Sequence, residues 1–410
     1  MRRPTAPAVF ATLLAGATLS VAAGRAPLGA PLDPSLSGAL VQIEASLAKL
    51  RGIPFKHDVK TAAMTHEEAR AYVRTLLHEE YPGEGLAAEQ DSLRYFALLG
   101  SDENLEAIYL NLMEAQVAGL YDPEARTLYV VEGPLSGAVA LAHELAHALM
   151  DQTFDLDALE KRAMDDDDRA LALSSLVEGE ATMVMTLWAM EHAADPNLAS
   201  LGGADGDAAM KASQNGLEAA PPFLRDLLVF PYVQGMSWAA EIMKKGGGLR
   251  ALDEYFKAPP ESSEQILHPA KSMAPRDVPS GIDASLAGAG LPGGTEIVKS
   301  GSLGEFGIRF LFGAGGAEAA EAAAGWDGDR FVLAREAGAS HLNWVSVWDT
   351  ENDAAEFAAA ARSWLAGRNA ARGPAEVRVK GTVVLLAEGG EAARRVDLMA
   401  SRTAAGVHLR

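Results

Sequence analysis

The chain of 410 residues contains no cysteine. This absence excludes disulfide bonds and thiolate metal ligands, and it excludes lipid attachment through a cysteine behind an export signal. Any bound metal must therefore be held by His, Asp or Glu side chains.

Basic residues are scarce compared with acidic ones. The chain has 35 Lys and Arg against 56 Asp and Glu, which gives a formal net charge of −21. Such an acidic surface repels nucleic-acid phosphates and anionic membranes, so we expect neither as a partner. The length is sufficient for two domains.

A hydrophobic run lies near the N-terminus. Arg2 and Arg3 precede an apolar stretch over 6–21 and the small residues at 21–23, which is the layout of a signal peptide spanning 1–23. An uncleaved anchor is the alternative, although the stretch is short and alanine-rich for a membrane span. We expect an exported protein of the periplasm, cell envelope or medium, with no stable membrane insertion after cleavage.

The most informative motif is His143-Glu144-Leu145-Ala146-His147, which lies within an apolar run over 137–150. Histidines four residues apart share nearly one face of a helix, so both imidazoles can bind one zinc ion. Glu144 lies about 100° around the helix axis from His143, so it can reach a water bound to that zinc without being a ligand itself. A helix with two surface histidines is the alternative. The apolar flanks disfavour it, because a buried cluster without metal would leave polar groups unpaired.

Catalytic zinc takes a third protein ligand and keeps one position open for water. No histidine follows closely after His147, so the third ligand must come from further along the chain. A second long helix is expected from the acidic run 165–168 to beyond residue 190, and it carries Glu178 and Glu180 about 200° apart. We favour Glu178 and expect Glu180 to be solvated or to lie behind the ligands. Glu178 shares its face with small residues that let helices approach closely: Ser174, Ser175, Ala181 and Thr182.

With an H-E-x-x-H helix followed by the sequence Glu178-Gly179-Glu180-Ala181, the chain resembles the gluzincin group of zinc metallopeptidases. In that group the glutamate before the glycine is the third zinc ligand, which is Glu178 here. The resemblance implies a zincin-like catalytic domain that cleaves peptide bonds with a Zn²⁺ cofactor held by His143, His147 and Glu178.

The resemblance extends over about residues 50–360 to a set of exported bacterial proteins that share this core and are regarded as uncharacterised peptidases. One departure is Met150, where such relatives are expected to carry a polar residue, and it does not affect the ligands. The matching stretches are 116–123, 147–152, 230–235, 259–269 and 325–330.

Three further side chains are candidates for supporting roles. Asp151, one turn after His147, is placed to accept the outer N–H of a ligand imidazole, with a helix-end aspartate as the alternative. Tyr232, in a Tyr-x-x-Gly element similar to one in several gluzincins, and His268 are candidates to stabilise the developing oxyanion. A core tyrosine and a structural histidine are the alternatives. The strand at 127–131 is a candidate edge for pairing with an extended peptide.

The predicted fold is mainly helical α+β, with a linker and the start of the first helix over 24–50. A zincin-like metallopeptidase domain follows over 51–285, and a smaller C-terminal α/β lobe spans 291–410. Within the first domain we expect a strand at 55–59 and a turn at 119–123. Strand-like runs in the lobe lie at 331–334, 342–348 and 377–386, and its helices at 317–324 and 354–364.

These features predict an exported zinc peptidase that acts on peptide or protein substrates. Zinc polarises the scissile carbonyl and activates water, while Glu144 takes the proton and passes it to the leaving nitrogen. The alternative is a catalytically silent zinc-binding or scaffolding protein of the cell envelope, which a fourth protein ligand would favour. A serine hydrolase is disfavoured because the stretch 235–239 lacks the second glycine of a nucleophile elbow.

Overall fold

A computed structural model describes residues 29–116, 119–131, 137–194, 215–313, 316–368 and 372–404. The predicted signal peptide over 1–23 lies outside the described residues. The protein is 58% helical with 16% strand, which confirms the prediction of a mainly helical α+β protein.

The first part of the chain combines a small sheet with long helices. The strand expected at 55–59 is wrong, because β1 begins at Lys60. Instead, the side-chain amide of Gln152 bonds the backbone of Lys56 and His57, so that stretch is held by a side chain and not by a neighbouring strand. The elements are α1 (Pro34–Arg51), β1 (Lys60–Met64), α2 (His66–Glu80), α3 (Gly85–Tyr95), α4 (Leu105–Gln116), β2 (Gly119–Asp122), β3 (Thr127–Val131), α5 (Ala138–Phe154), α6 (Leu156–Ala163), α7 (Asp167–His192) and α8 (Pro222–Gly246).

Local side chains define where α2 and α7 begin. Thr65 and Glu68 form a capping box at the start of α2, in which each side chain accepts a hydrogen bond from the backbone N–H of the other. At α7, the Asp166 carboxylate accepts from the N–H groups of Asp168 and Arg169. The acidic run at 165–168 therefore lies at a helix N-terminus, where the helix dipole favours negative charge.

The small sheet has the strand order β1-β3-β2, with β1 parallel and β2 antiparallel to β3. The prediction of β3 as an edge strand is wrong, since β3 is central and all five of its residues are buried. The predicted turn at 119–123 is wrong for Gly119–Asp122, which form the edge strand β2, and the turn follows at 123–126.

Helix α7 packs between α5 and α8. At its crossing with α8, a Cβ added to Gly179 would collide with the backbone of Gly235, and one added to Gly235 would collide with the Ser175 carbonyl. The two helix backbones are therefore in direct contact, and only glycine permits this approach. The crossing brings Glu178 on α7 close to the turn of α8 that carries Tyr232.

We expect Gly235→Ala to lower the free energy of unfolding by at least about 1–3 kcal/mol, because the added methyl group must push two packed helices apart. Urea denaturation measures this difference. Gly38→Ala is the matched control, since Gly38 lies in helix α1 with no atom near its added Cβ. That control should raise stability by about 0.4–1 kcal/mol. Equal effects of the two substitutions would contradict the close helix crossing.

Short helices connect α8 to a lobe built on a five-stranded antiparallel sheet with the order β4-β5-β6-β8-β7. The predicted strands and helices of the lobe are found, and the run at 377–386 contains two strands. After a 3₁₀ turn (Leu249–Leu252), the elements are α9 (Asp253–Lys257), α10 (Ser263–Leu267), α11 (Pro269–Ser272), α12 (Ala284–Ala287), β4 (Glu296–Gly301), α13 (Gly304–Leu311), α14 (Ala317–Ala323), β5 (Trp326–Glu336), β6 (Ala339–Trp348), α15 (Glu351–Ala366), β7 (Ala375–Lys380), β8 (Val383–Glu388) and α16 (Ala392–Ala404).

The lobe packs firmly against the first part of the chain. Tyr95 and Phe96, at the end of α3, belong to the apolar cluster of the lobe, and Phe306 of the lobe belongs to the main core. Lys299 on β4 forms buried ion pairs with Glu89 and Asp167, so the start of α7 is tied to the lobe.

One described helix, α7, has the length and hydropathy of a membrane span. Its most apolar window is 67% buried inside the protein, as in the core helix of a soluble protein.

Candidate metal centre

Two neighbouring helices bring three candidate ligand side chains to one point. His143 and His147 project from α5, and their Nε2 atoms lie 3.0 Å apart. Glu178 projects from α7, with its Oε2 atom 3.2 Å from His143 Nε2 and 3.4 Å from His147 Nε2. The two imidazole rings stand nearly perpendicular, at 83°.

The spacing of these three atoms fits a tetrahedral metal. Zinc binds nitrogen and carboxylate oxygen at about 2.0–2.2 Å, which places neighbouring tetrahedral corners about 3.4 Å apart. The triangle of 3.0, 3.2 and 3.4 Å matches three such corners. Across the described part of the chain, this is the one group of three His, Asp or Glu residues whose candidate ligand atoms lie within 4.8 Å of one another.

The three candidate ligands are removed from solvent because α5 is apolar on nearly all sides and α7 packs between α5 and α8. Relative exposure is 0% for His147, 2% for Glu178 and 8% for His143. Burial raises the pKa of Glu178 to about 7, although the neighbouring His143 opposes this shift. A buried carboxylate facing two imidazoles gains most from a shared cation, since each group then has a partner.

Glu144 lies beside this triangle and is not part of it. Its Oε2 atom accepts a hydrogen bond of 3.0 Å from the backbone N–H of Tyr121 on β2. Burial and the nearby Glu178 charge raise the pKa of Glu144 well above its usual range, and the Tyr121 N–H opposes this. Strand β2 therefore orients the predicted general base.

The structure also brings Tyr232 to the triangle. Its ring lies against the His143 ring, with centroids 6.0 Å apart and planes at 24°. Burial raises the pKa of Tyr232 above its usual range, and the charges of Glu178 and Glu144 contribute to the shift. The phenol therefore lies within electrostatic range of both carboxylates.

Asp151 is held by two other groups. The Tyr121 hydroxyl donates to its Oδ2 atom at 2.9 Å, and the Leu156 N–H donates to Oδ1 at 3.2 Å. The expected contact between Asp151 and a ligand imidazole therefore stays a prediction. The partners found here give it a part in fixing the end of α5 to β2.

His268 pairs with a glutamate of the C-terminal lobe. Its Nε2 atom lies 3.0 Å from Glu305 Oε1 on α13, and 42% of its side chain is exposed. This pairing directs the imidazole toward Glu305, and an oxyanion role for His268 stays a prediction.

Glu180, the other acidic residue of the motif, lies on a different side of α7. Of the two environments expected for it, solvent is excluded because the residue is fully buried. Its Oε1 atom lies 2.6 Å from Nε of Arg51, whose Nη2 atom lies 2.6 Å from Asp253. Helix α7 is thus held on two sides, by Glu178 at the triangle and by Glu180 at Arg51.

Tyr121 is a site residue that the sequence reasoning missed. Its N–H binds Glu144 and its hydroxyl binds Asp151, so one residue of β2 contacts helix α5 at two points. The sequence did contain one indication of its importance, because Tyr121 lies in the stretch 116–123, which resembles exported bacterial proteins. Interpreting 119–123 as a turn obscured it.

The comparison with known protein families gives a match in the C-terminal lobe. Residues 295–407 match the model of a domain of unknown function, DUF8575. No curated protein and no solved structure matches the chain. The metal triangle lies outside the matched residues.

Proposed function

We propose that the protein is a zinc-dependent peptidase whose zincin-like domain holds Zn²⁺ with His143, His147 and Glu178. The observation that carries this proposal is the triangle of ligand atoms at tetrahedral spacing. Glu144 lies next to this triangle but is not one of its three residues. Zinc bound there would polarise the substrate carbonyl and lower the pKa of water to about 7.

Glu144 acts as the general base in this proposal. The hydrogen bond from Tyr121 N–H orients the carboxylate through Oε2, so Oε1 is the atom that takes the proton of the attacking water. The same carboxyl group then delivers this proton to the leaving nitrogen. Tyr232, stacked on His143, donates its phenol hydrogen to the developing oxyanion.

The proposed substrate is an extended peptide or protein segment. Strand β2 pairs with β3 on one side, and its backbone N–H at Tyr121 points to Glu144 on the other. A peptide that extends along this edge would lie beside the general base. Main-chain groups other than the Tyr121 N–H, which is bonded to Glu144, would hold it. In this assignment β2 takes the edge role that the sequence reasoning gave to β3.

The catalytically silent alternative requires a closed metal site. Structural zinc sites usually have four protein ligands, whereas catalytic sites keep one position open. Within the described ranges the cluster has three ligand residues. A structural zinc site also has no need of a general base such as Glu144 beside it. Both facts favour the enzyme.

We further propose that the protein acts after export, in the cell envelope or medium, as the N-terminal sequence predicts.

Metal removal tests the proposal on the full chain. We expect about one zinc per chain by elemental analysis, and hydrolysis of a mixed peptide library that 1,10-phenanthroline abolishes and added zinc restores. Zinc binding without hydrolysis would favour the silent alternative. Hydrolysis that survives complete removal of the metal would reject the proposed mechanism.

A further inference from the structure

A separate cavity lies between helices α2 and α3 and the C-terminal lobe. Its volume is about 780 Å³, within the range of small-ligand sites. Glu80, Tyr81 and Glu89 line it from one side, and residues 296–300 of β4 line it from the other. The cavity includes no predicted zinc ligand, so it is independent of the proposed peptidase site.

The walls of this cavity carry an excess of negative charge. Lys299 and Arg330 are its two lining cations, and each is already paired with carboxylates. The electrostatic potential inside therefore favours a positively charged ligand. The lining carboxylates are those of Glu80, Glu89, Asp165, Asp283 and Glu296.

Glu80 sets this cavity apart from an ordinary acidic surface. The residue is 5% exposed, and among the described residues its Oε1 atom has no hydrogen-bond partner. Burial raises the pKa of Glu80 to about 7, because no nearby cation offsets the desolvation. Ser300 Oγ, on the opposite wall, is also buried without a partner in the described structure. Unpaired buried polar groups are costly and are satisfied when a ligand supplies the missing partner.

The lining also indicates which kind of cation fits. A metal ion needs several ligand atoms close together, and in the described part of the chain that arrangement occurs only at His143, His147 and Glu178. Ile282, Ile297 and Val298 line the same cavity as Glu80 and Ser300. Apolar walls beside an unpaired carboxylate suit an alkyl chain that ends in a charged group.

We propose that this cavity binds an organic cation, an ammonium group on an aliphatic chain, with Glu80 as its ion-pair partner and Ser300 as a hydrogen-bond acceptor. A free diamine and the lysine side chain of a peptide share this chemistry. Each gives the Glu80 carboxylate a charge-assisted hydrogen bond, which is stronger than one between neutral groups.

Isothermal titration calorimetry on the full chain tests the proposal, with cadaverine, Nα-acetyl-lysine methylamide and uncharged 1,5-pentanediol as probes. We expect saturable binding of at least one amine and none of the diol. Tighter binding of cadaverine would identify the ligand as a free amine. Tighter binding of the lysine derivative would identify it as the lysine side chain of a peptide. Glu80→Gln should weaken amine binding about tenfold to a hundredfold, because a hydrogen bond to a charged group is lost.

Glu84→Gln is the matched control, since it removes the same charge from an exposed residue that does not line the cavity. It should leave amine affinity unchanged. Ser300→Ala gives a second test and should weaken binding severalfold even if Glu80→Gln fails to fold. Absence of saturable binding by both amines, or equal losses in Glu80→Gln and Glu84→Gln, would overturn the proposal. His147→Ala should retain amine binding, which separates this result from failure of the metal site.

Discussion

Glu144→Gln should lower the rate of peptide hydrolysis about 10²–10⁴-fold while the protein still binds one zinc per chain. The amide oxygen of glutamine can accept the same hydrogen bond from Tyr121 N–H, so the position of the side chain is kept. An amide cannot take a proton from water at neutral pH, so the proposed general base is lost. Initial rates on a fluorogenic peptide, measured together with zinc content, check both parts of the expectation.

Glu178→Gln is the matched control, because it makes the same chemical change at a residue that is also buried and lies within the ligand triangle. This variant should lose zinc and activity together. The contrast assigns one carboxylate to proton transfer and the other to metal binding. Substantial hydrolysis by Glu144→Gln, or zinc retention by Glu178→Gln, would contradict these roles.

Arg51→Met should lower the free energy of unfolding by about 3–5 kcal/mol. Arg51 and Glu180 are both fully buried, and their side chains lie 2.6 Å apart. Methionine fills much of the same volume but leaves the Glu180 carboxylate without its cation. The cost arises because a desolvated charge then has no partner. Urea or guanidinium denaturation followed by circular dichroism measures it.

Lys257→Met is the control for the loss of one cation. Lys257 pairs with Glu254 at 2.6 Å, but both side chains are exposed, so the expected change is about 0–1 kcal/mol. Adding Glu180→Met to Arg51→Met should recover most of the lost stability, since the unpaired charge is then removed. A cost for Arg51→Met as small as that for Lys257→Met would show that the buried pair does not hold α7.

Local rules account for the elements that the sequence predicted well. The acidic start of α7 depends on neighbours within one helical turn, and it lies where the sequence predicted it. Trp326, Trp344 and Trp348 are all buried in the apolar cluster of the lobe, as large apolar side chains on strands and their flanks usually are. Amphipathic spacing and caps are local properties, so a single sequence contains them.

The errors concern contacts between distant segments. The stretch 119–123 contains glycine and proline and was interpreted as a turn, although pairing with β3 makes Gly119–Asp122 a strand. The run at 127–131 was correctly predicted as a strand, but its central place depends on β1, more than sixty residues earlier. Strand order depends on pairing with segments far along the chain, and local periodicity does not encode it.

The sequence by itself determined that two imidazoles share one face of a helix and that an acidic helix follows, because four-residue spacing fixes side-chain direction. The sequence favoured Glu178 over Glu180, but the tertiary structure decided which carboxylate meets the imidazoles. Contact between Gly179 and Gly235 and the pairing of Arg51 with Glu180 turn α7 so that Glu178 faces His143 and His147. The rotation of a helix about its axis depends on packing against its neighbours, and no stretch of the chain specifies that packing alone.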